Sequence, residues 1–294
     1  MSTIETVNPK RALVWRVGTR TLTCGPRTLV MGALNVTPDS FSDGGRFLDP
    51  EAAVARGIEM AQEGADIIDV GGESTRPGSE PVPEPEECDR VVPVVKRLSV
   101  EIDIPISIDT RKTGVAHAAL EAGATMVNDT AAGRAPGIFD VVREAGAGMV
   151  LMHMRGDPKT MQQQTRYDDV LAEVGRFLED RVSAAEAAGV ERDRLAVDPG
   201  LGFAKTPQQN FLLMRHVRAL ERIGCPVVVG PSRKSFIGLV LDAEVDDRME
   251  GTAGAVAWLA GHGAHIVRVH DVREMVRVVK VVDAIRTADD ASTR

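Results

Sequence analysis

Short apolar runs rich in valine and isoleucine recur eight times along the chain, and each ends at a polar residue before a stretch with helical character. Runs of this kind are typical of strands buried on both faces, as in parallel sheets. The polar residues at the ends of the runs are Asn35, Asp69, Asp109, Asn128, His153, Asp198, Lys234 and His270. Their placement at the same end of successive strands predicts one shared site, and therefore an enzyme.

Helical segments separate the apolar runs, and this alternation predicts an α/β fold with a parallel sheet. The predicted helices cover residues 50–63, 84–100, 112–122, 137–145, 169–188, 208–223, 250–262 and 272–286. Eight units favour a closed (β/α)8 TIM barrel over an open, doubly wound sheet.

The chain ends differ from the repeated units. Residues 12–22 alternate apolar and polar around Gly18, which predicts an N-terminal β-hairpin that caps the barrel bottom. Because no linker divides the chain, we expect a single domain over residues 1–294, with the barrel at about 28–286 and a polar C-terminal tail at 287–294.

Composition excludes several classes of protein. The net charge is −8, and no lysine and arginine cluster is long enough to follow a phosphate backbone, which argues against nucleic-acid binding. No apolar stretch approaches the roughly 20 residues that cross a bilayer, and the N-terminus does not resemble a signal peptide. The 3 cysteines are isolated, which fits a reducing compartment. We therefore expect a cytoplasmic protein without a nucleic-acid or membrane partner.

Four strand-end residues, Asp69, Asp109, Asn128 and Asp198, suit a common ligand. One such residue is often only the cap of the next helix, but four around one barrel mouth make that explanation poor. Carboxylates accept hydrogen bonds, and asparagine both donates and accepts. The set suits a flat heterocycle with a guanidine-like edge, and it would also suit a divalent metal. The glycines of residues 198–205 are predicted to allow close backbone approach to a ligand.

Basic residues mark the last two strands. A Ser-Arg-Lys-Ser sequence occupies residues 232–235, and Arg268 lies between two valines just before His270. Phosphate sites in such barrels often use the loops after strands seven and eight, and an arginine within a buried strand needs a partner. We therefore favour an anion site over a surface charge cluster. A flat polar ring together with a diphosphate-like group predicts a leaving-group reaction.

His153, between two methionines, is predicted to be a packed core residue.

Seven sequence strings occur in an order that is similar to one enzyme family. They are NVTPDSFSDGG, DVGGESTRPGS, SIDT, VND, DPGLGFAK, GPSRKS and RVHDV, within roughly residues 29–284. The chain thereby resembles the dihydropteroate synthases, pterin-binding TIM-barrel enzymes of folate biosynthesis. The resemblance implies a transferase that joins 6-hydroxymethyl-7,8-dihydropterin diphosphate to 4-aminobenzoate, giving 7,8-dihydropteroate and diphosphate. It also implies Mg²⁺ as cofactor and a homodimer.

The resemblance further implies roles for individual residues. The pterin ring would contact Asp69, Asp109, Asn128, Met152, Asp198 and Lys234. The diphosphate would be bound by Arg268 and His270, and through Mg²⁺ by Asn35. The aminobenzoate pocket would contain Phe41, Thr75, Arg76, Pro77, Phe203 and Ser235. The catalytic residues would be Asp43, Lys234, Arg268 and His270. Two long loops, residues 35–49 and 71–85, are predicted to act as lids.

Other functions were weighed against these features. A pterin-binding methyltransferase domain should lack the FSDGG, STRPG and SRKS strings and should act with a corrinoid module. A non-catalytic pterin-binding paralogue should have lost Lys234, Arg268 or Asp43. An enolase-like metal enzyme would have acids at the ends of consecutive middle strands, and it is disfavoured because Asn128 interrupts that arrangement.

In the last helix, apolar residues either form a dimer interface or pack on the barrel. These residues are Met275, Val278 and Val282.

Overall fold

The computed structural model describes residues 10–37, 50–74 and 78–288, which contain ten strands and nine α-helices. The strands are β1 (Leu13–Val17), β2 (Arg20–Cys24), β3 (Leu29–Asn35), β4 (Ile67–Gly71), β5 (Ile106–Asp109), β6 (Met126–Asp129), β7 (Gly148–Met152), β8 (Leu195–Asp198), β9 (Val228–Val229) and β10 (Ile266–Val269). The helices are α1 (Pro50–Gln62), α2 (Glu84–Glu101), α3 (Thr113–Glu121), α4 (Ile138–Glu144), α5 (Val170–Ala187), α6 (Pro207–Arg215), α7 (Ser235–Leu241), α8 (Met249–Gly261) and α9 (Val272–Arg286). None of these helices has the length and apolar character needed to span a membrane.

Strands β3 to β10 form one parallel sheet that closes on itself. The strand order is β8-β7-β6-β5-β4-β3-β10-β9. The first and last strands of this order meet where Val197 forms a parallel bridge with Val227, and the Val197 amide donates to the Pro226 carbonyl at 2.9 Å. This closure confirms the predicted (β/α)8 barrel.

The register of the sheet brings polar strand ends to one level. Asp109 is paired with Gly71 on one side and with Asn128 on the other. Met152 is paired with Asp198. Because all eight strands run parallel, these residues line the same C-terminal mouth of the barrel.

The N-terminal hairpin closes the opposite end of the barrel. Trp15 of β1 is fully buried against residues at the beginnings of the barrel strands, among them Leu29, Ile67 and Met126. Its indole Nε1 donates to the Arg194 carbonyl at 2.9 Å, just before β8. The predicted hairpin and its position at the barrel bottom are therefore confirmed.

Three details differ from the predictions. Strand β9 has only two residues, because Gly230 and Pro231 follow and proline cannot donate to a ladder. Helix α7 was not predicted, since its seven residues are almost all apolar and show no helical alternation of apolar and polar positions. The predicted helix at 208–223 is α6 followed by a 3₁₀ segment, Val217–Ile223, because His216 leaves helical geometry.

Candidate active site

A buried carboxylate on β4 lies at the centre of the barrel mouth. Asp69 is 0% exposed, and its Oδ2 accepts a hydrogen bond from Asn128 Nδ2 at 3.0 Å. Its Oδ1 is buried as well and has no hydrogen-bond donor within the described part of the chain. Buried polar atoms are nearly always paired, so this oxygen is suited to accept a hydrogen bond from a bound ligand.

Arg268 on β10 reaches across the mouth to two carboxylates. Its Nε donates to Asp69 Oδ2 at 2.6 Å, and its Nη2 donates to Asp109 Oδ2 at 2.7 Å. Burial alone would lower the pKa of Arg268, but these two carboxylates raise it above its usual value. A buried arginine was predicted to need a partner, and in the structure two carboxylates of the protein itself fill that role.

The contact with Arg268 also affects the pKa of Asp109. Burial raises the pKa of Asp109 above its ordinary range, against the opposing effect of Arg268. Among the described residues, no group of three or more histidines, cysteines and acids is arranged to hold a metal. Arg268 instead supplies the positive charge beside Asp69 and Asp109, which disfavours the metal alternative for these strand ends.

Asp198 ends β8 beside a glycine-rich turn. Its Oδ1 accepts from the Gly200 amide at 2.7 Å, and burial raises the pKa of Asp198 to about 6. Gly200 has a φ of +67°, and a Cβ there would lie 2.0 Å from the His153 carbonyl oxygen. A Cβ on Gly202 would lie 3.1 Å from Lys234 Cδ. The glycines therefore allow close approach within the chain, where the sequence predicted approach to a ligand.

Lys234 lies between the acids and an aromatic side chain. Its Nζ is 4.2 Å from the ring centroid of Phe203, and Phe203 is itself buried. Burial and the neighbouring Arg268 lower the pKa of Lys234 to about 8. The structure thus brings two predicted site residues from different loops into direct contact.

Ser235 lies farther out than Lys234. It is the exposed first residue of α7 and lines a cavity of about 330 Å³ together with Gly238 and Arg248. None of the acids of the barrel mouth lines that cavity.

His270 follows β10 and is held by a serine of the preceding loop. Its Nδ1 is 3.0 Å from Ser232 Oγ, and its amide donates to the same oxygen at 3.2 Å. Burial, with Arg268 and Arg233 nearby, lowers the pKa of His270 to about 3. His270 is therefore neutral at pH 7 in the free protein, so it offers the diphosphate a hydrogen bond and no positive charge.

The remaining predicted residues divide into two groups. Met152 is buried at the end of β7, and Asn35 is the partly exposed last residue of β3, so both lie at the barrel mouth. The other predicted residues lie outside the described residues. They are Phe41, Asp43, Thr75, Arg76 and Pro77. Their roles, and the lid function of the two loops, stay predictions.

A buried ion-pair network that was not predicted lies at the second loop. Glu73 accepts from Lys112 Nζ at 2.6 Å and from the Val82 amide at 2.8 Å, and it pairs with Arg111 at 3.0 Å. Lys112 also pairs with the buried Glu87. The network fixes the start of this loop to the segment before α3. The sequence pattern that could have indicated this network is an acid in the loop, Glu73, together with two adjacent cations, Arg111 and Lys112, just after the end of a strand.

Comparison with known proteins agrees with this geometry. Residues 31–270 match the profile of the family described as pterin binding enzyme. The dihydropteroate synthase of Synechocystis sp. is 48% identical over 271 residues, which cover 92% of this chain and 94% of the relative. The chain belongs to the dihydropteroate synthases. The Mycobacterium leprae member is 49% identical over 263 residues, covering 87% of this chain and 92% of the relative.

Solved structures of this family show the same fold. The Xanthomonas albilineans dihydropteroate synthase with 4-aminobenzoic acid aligns with a TM-score of 0.88 at 45% identity, covering 95% of this chain and 100% of the other. The same enzyme in complex with 7,8-dihydropteroate aligns with a TM-score of 0.84 at 43% identity, covering 94% of this chain and 100% of the other. The family predicted from the seven strings is thereby confirmed, and with it the prediction of a transferase.

Proposed function

We propose that this chain joins 6-hydroxymethyl-7,8-dihydropterin diphosphate to 4-aminobenzoate, releasing diphosphate and forming 7,8-dihydropteroate. The observation that carries the proposal is the set of buried acceptors at the barrel mouth, in which Asp69 Oδ1 has no donor among the described residues. A pterin ring presents N–H donors along a guanidine-like edge, which such acceptors would bind. Relatives of this chain bind 4-aminobenzoic acid and 7,8-dihydropteroate, which supports the same substrate classes here.

The ring-binding residues are Asp69, Asp109, Asn128, Met152, Asp198 and Lys234. Asp198 has to be ionised to accept from two ring N–H groups, and Asn128 can satisfy a ring acceptor or donor. Met152, in register with Asp198, supplies an apolar contact for the flat face of the ring.

Arg268 changes partners when the substrate binds. Its planar guanidinium has the same donor pattern as the guanidine-like edge of the ring, and in the free protein it occupies Asp109. The arriving ring displaces it from Asp109, and the freed guanidinium binds the diphosphate with His270. Recognition of the ring and recognition of the leaving group are thereby coupled.

The residues present fit a Mg²⁺ ion that arrives with the diphosphate. Asn35 offers one amide oxygen at the barrel mouth, and Mg²⁺ bound to substrate phosphates commonly takes only one or two protein ligands. When bound, the ion neutralises charge on the leaving diphosphate.

The bond change is a dissociative, SN1-like substitution. The C–O bond to the diphosphate breaks first and its electron pair leaves with the diphosphate, while the pterin ring delocalises the positive charge. Arg268 and His270 bind the departing anion, and Asp43 stabilises the cation electrostatically. The amine nitrogen then forms the new C–N bond and loses one proton to solvent.

The second substrate needs placement more than activation, because an arylamine is already neutral at pH 7. Its pocket consists of Phe203, Ser235 and the loop residues. These loop residues are Phe41, Thr75, Arg76 and Pro77. Since the two loops complete this pocket, 4-aminobenzoate binds after the diphosphate. Tight binding of 4-aminobenzoate to protein without diphosphate would contradict this order.

The assembly proposed is a homodimer in the cytoplasm. Met275 of α9 is buried on the barrel, so it cannot serve as an interface residue. Exposed apolar side chains lie on α7, where Leu239 and Val240 are 69% and 68% exposed, on α8, where Trp258 is 44% exposed, and on α9, where Ile285 is 71% exposed. We infer that the exposed side chains of α7 and α8 contact the second copy.

The three cysteines are free thiols, as a reducing compartment would leave them.

A turnover assay tests the reaction. Protein, Mg²⁺, the pterin diphosphate and 4-aminobenzoate should yield dihydropteroate, and a Lys234→Ala variant should lose most of that activity. An active Lys234→Ala variant would defeat the site assignment. Absence of product with wild-type protein that still binds the pterin would favour the non-catalytic paralogue.

A further inference from the structure

A second buried lysine lies next to the proposed ring site. Lys205 ends the DPGLGFAK string two residues before α6 and is 3% exposed. Among the salt bridges found in the described residues, none includes Lys205. A buried cation without a carboxylate partner is costly, so its position calls for a function.

Lys205 instead places its Nζ within hydrogen-bond distance of three neutral groups. Its Nζ is 3.0 Å from His153 Nδ1, 2.9 Å from the Gly200 carbonyl oxygen and 2.9 Å from the Phe203 carbonyl oxygen. Burial, with Lys205 beside it, lowers the pKa of His153 to about 2, so the imidazole is neutral. Burial lowers the pKa of Lys205 to about 7. When Lys205 is protonated its ammonium can only donate, so His153 then accepts at Nδ1 and carries its own proton on Nε2.

These contacts hold a turn that has an unusual backbone. Gly200, Gly202 and Ala204 all have positive φ, at +67°, +82° and +51°. Left-handed geometry at a residue with a Cβ persists only where the surroundings fix it. The carbonyls of Gly202 and Ala204 accept from Gln162 and Tyr167 side chains, at 3.0 Å and 3.1 Å. Lys205 binds two further carbonyls of the turn, those of Gly200 and Phe203, and ties the turn to the end of β7.

The turn follows Asp198 of β8 and carries Phe203, and both residues belong to the proposed site. The Gly200 peptide whose carbonyl Lys205 binds is followed by Leu201, and the Gly200 amide itself donates to Asp198 Oδ1 at 2.7 Å. The Phe203 carbonyl binds Lys205, while the Phe203 ring faces Lys234. One ammonium group therefore controls the positions of an acid and an aromatic side chain.

We propose that Lys205 is a positioning residue of the active site, which sets the Asp198 carboxylate for the pterin ring and the Phe203 side chain for 4-aminobenzoate. This inference rests on the proposed function for its substrates. Lys205 touches neither substrate and takes no part in the bond change. It acts through the turn, with His153 as its anchor on β7.

Lys205→Met removes the ammonium group and keeps the length of the side chain. We expect the KM for each substrate, and the Kd of 6-hydroxymethylpterin alone, to rise about tenfold, the size of effect that losing an orienting partner commonly has. The kcat should change by less than about threefold, because Lys234 and Arg268 remain in place.

Lys10→Met is the matched control. Lys10 is also buried, its Nζ donates to Thr28 Oγ1 at 2.6 Å at the other end of the barrel, and burial lowers its pKa to about 8. Lys10→Met should lower the melting temperature, as Lys205→Met does, and leave both KM values unchanged. Equal KM values for wild type, Lys10→Met and Lys205→Met would overturn the proposal.

A pair of His153 variants gives an independent answer if Lys205→Met does not fold. His153→Gln keeps an acceptor for Lys205 and should retain near wild-type KM values, whereas His153→Leu removes it and should raise them. Identical KM values and ring affinities for the two variants would overturn the proposal. Ring affinity is measured by calorimetry without turnover. A wild-type protein that binds the ring but forms no dihydropteroate would therefore defeat the proposed function and leave the test of Lys205 intact.

Discussion

Replacement of Arg268 by methionine should separate ring recognition from diphosphate recognition. In the free protein Arg268 Nε lies 2.6 Å from Asp69 and Nη2 lies 2.7 Å from Asp109, with only 20% of the side chain exposed. Arg268→Met removes both charged hydrogen bonds and keeps most of the apolar stem. The ring then no longer has to displace a competitor from Asp109, while the diphosphate loses a principal donor.

The magnitude follows from these contacts. A hydrogen bond to a charged group contributes about 1.5–3 kcal/mol net. Because Arg268 no longer competes for Asp109 in the variant, the binding free energy of the ring should become more favourable by about that amount. Loss of the contact between Arg268 and the diphosphate group makes the binding free energy of that group less favourable by a similar amount. We therefore expect Arg268→Met to bind the ring alone at least as tightly as wild type. Because the two effects oppose each other, the affinity for the whole pterin diphosphate should stay nearly unchanged, and the gain in affinity that the diphosphate group adds over the ring alone should fall about 10- to 100-fold.

Two titrations measure the difference. Calorimetry with 6-hydroxymethylpterin gives the affinity of the ring, and calorimetry with its diphosphate and Mg²⁺ gives the affinity of the whole substrate. Urea unfolding should run in parallel, because removing one partner of a buried ion pair lowers the free energy of unfolding by about 3–5 kcal/mol. Titrations are interpreted only where the variant is folded in buffer.

Arg286→Met is the control for destabilisation. Arg286 is a buried arginine at the other end of the barrel, 3.2 Å from Asp283, and its loss should weaken folding without changing either affinity. A parallel fall in both affinities for Arg268→Met would refute the exchange of partners. It would show that the ring itself depends on contact with Arg268.

Three further predictions follow from other parts of the fold. Because burial raises the pKa of Asp198 to about 6, the ionised acceptor is lost as the pH falls through that value. Ring Kd measured from about pH 5 to 8 should therefore rise below about pH 6. Asp109, whose pKa burial also raises, adds its own dependence in both proteins, so an Asp198→Asn variant whose pH profile is identical to that of wild type would contradict the assignment. Trp15→Ala should lower the free energy of unfolding in urea by about 3–5 kcal/mol with KM unchanged, and altered KM values would mean that the hairpin affects the mouth. Val240→Glu should convert the proposed dimer to a monomer in light scattering, and a dimeric mass that stays unchanged in the variant would exclude the α7 surface as the interface.

Much of the fold was predictable because its signals are local. Buried parallel strands read as short apolar runs, and the hairpin as an alternation around Gly18. The errors lie where local patterns are ambiguous. The apolar residues of α7 carry no helical period, and β9 is cut short by Gly230 and Pro231.

The site was predictable only as a list of residues at one end of a barrel. Arg268 and Asp109 are 159 positions apart, so their contact depends on barrel closure and has no trace in the sequence near either residue. The charge of His270 depends on how deeply it is buried beside two arginines. Lys205 was part of a recognised string, but only the structure shows that its acceptors are His153 and two carbonyls of one turn.

A single-turnover experiment tests the central claim, which is that one barrel mouth binds the ring and the leaving group and joins the ring to the amine. Protein in excess is loaded with Mg²⁺ and the pterin diphosphate, mixed with 4-aminobenzoate and quenched at short times. The account predicts that dihydropteroate and diphosphate reach equal amounts at completion, with diphosphate formed no later than dihydropteroate. Release of diphosphate without dihydropteroate, or no reaction while the ring stays bound, would contradict it.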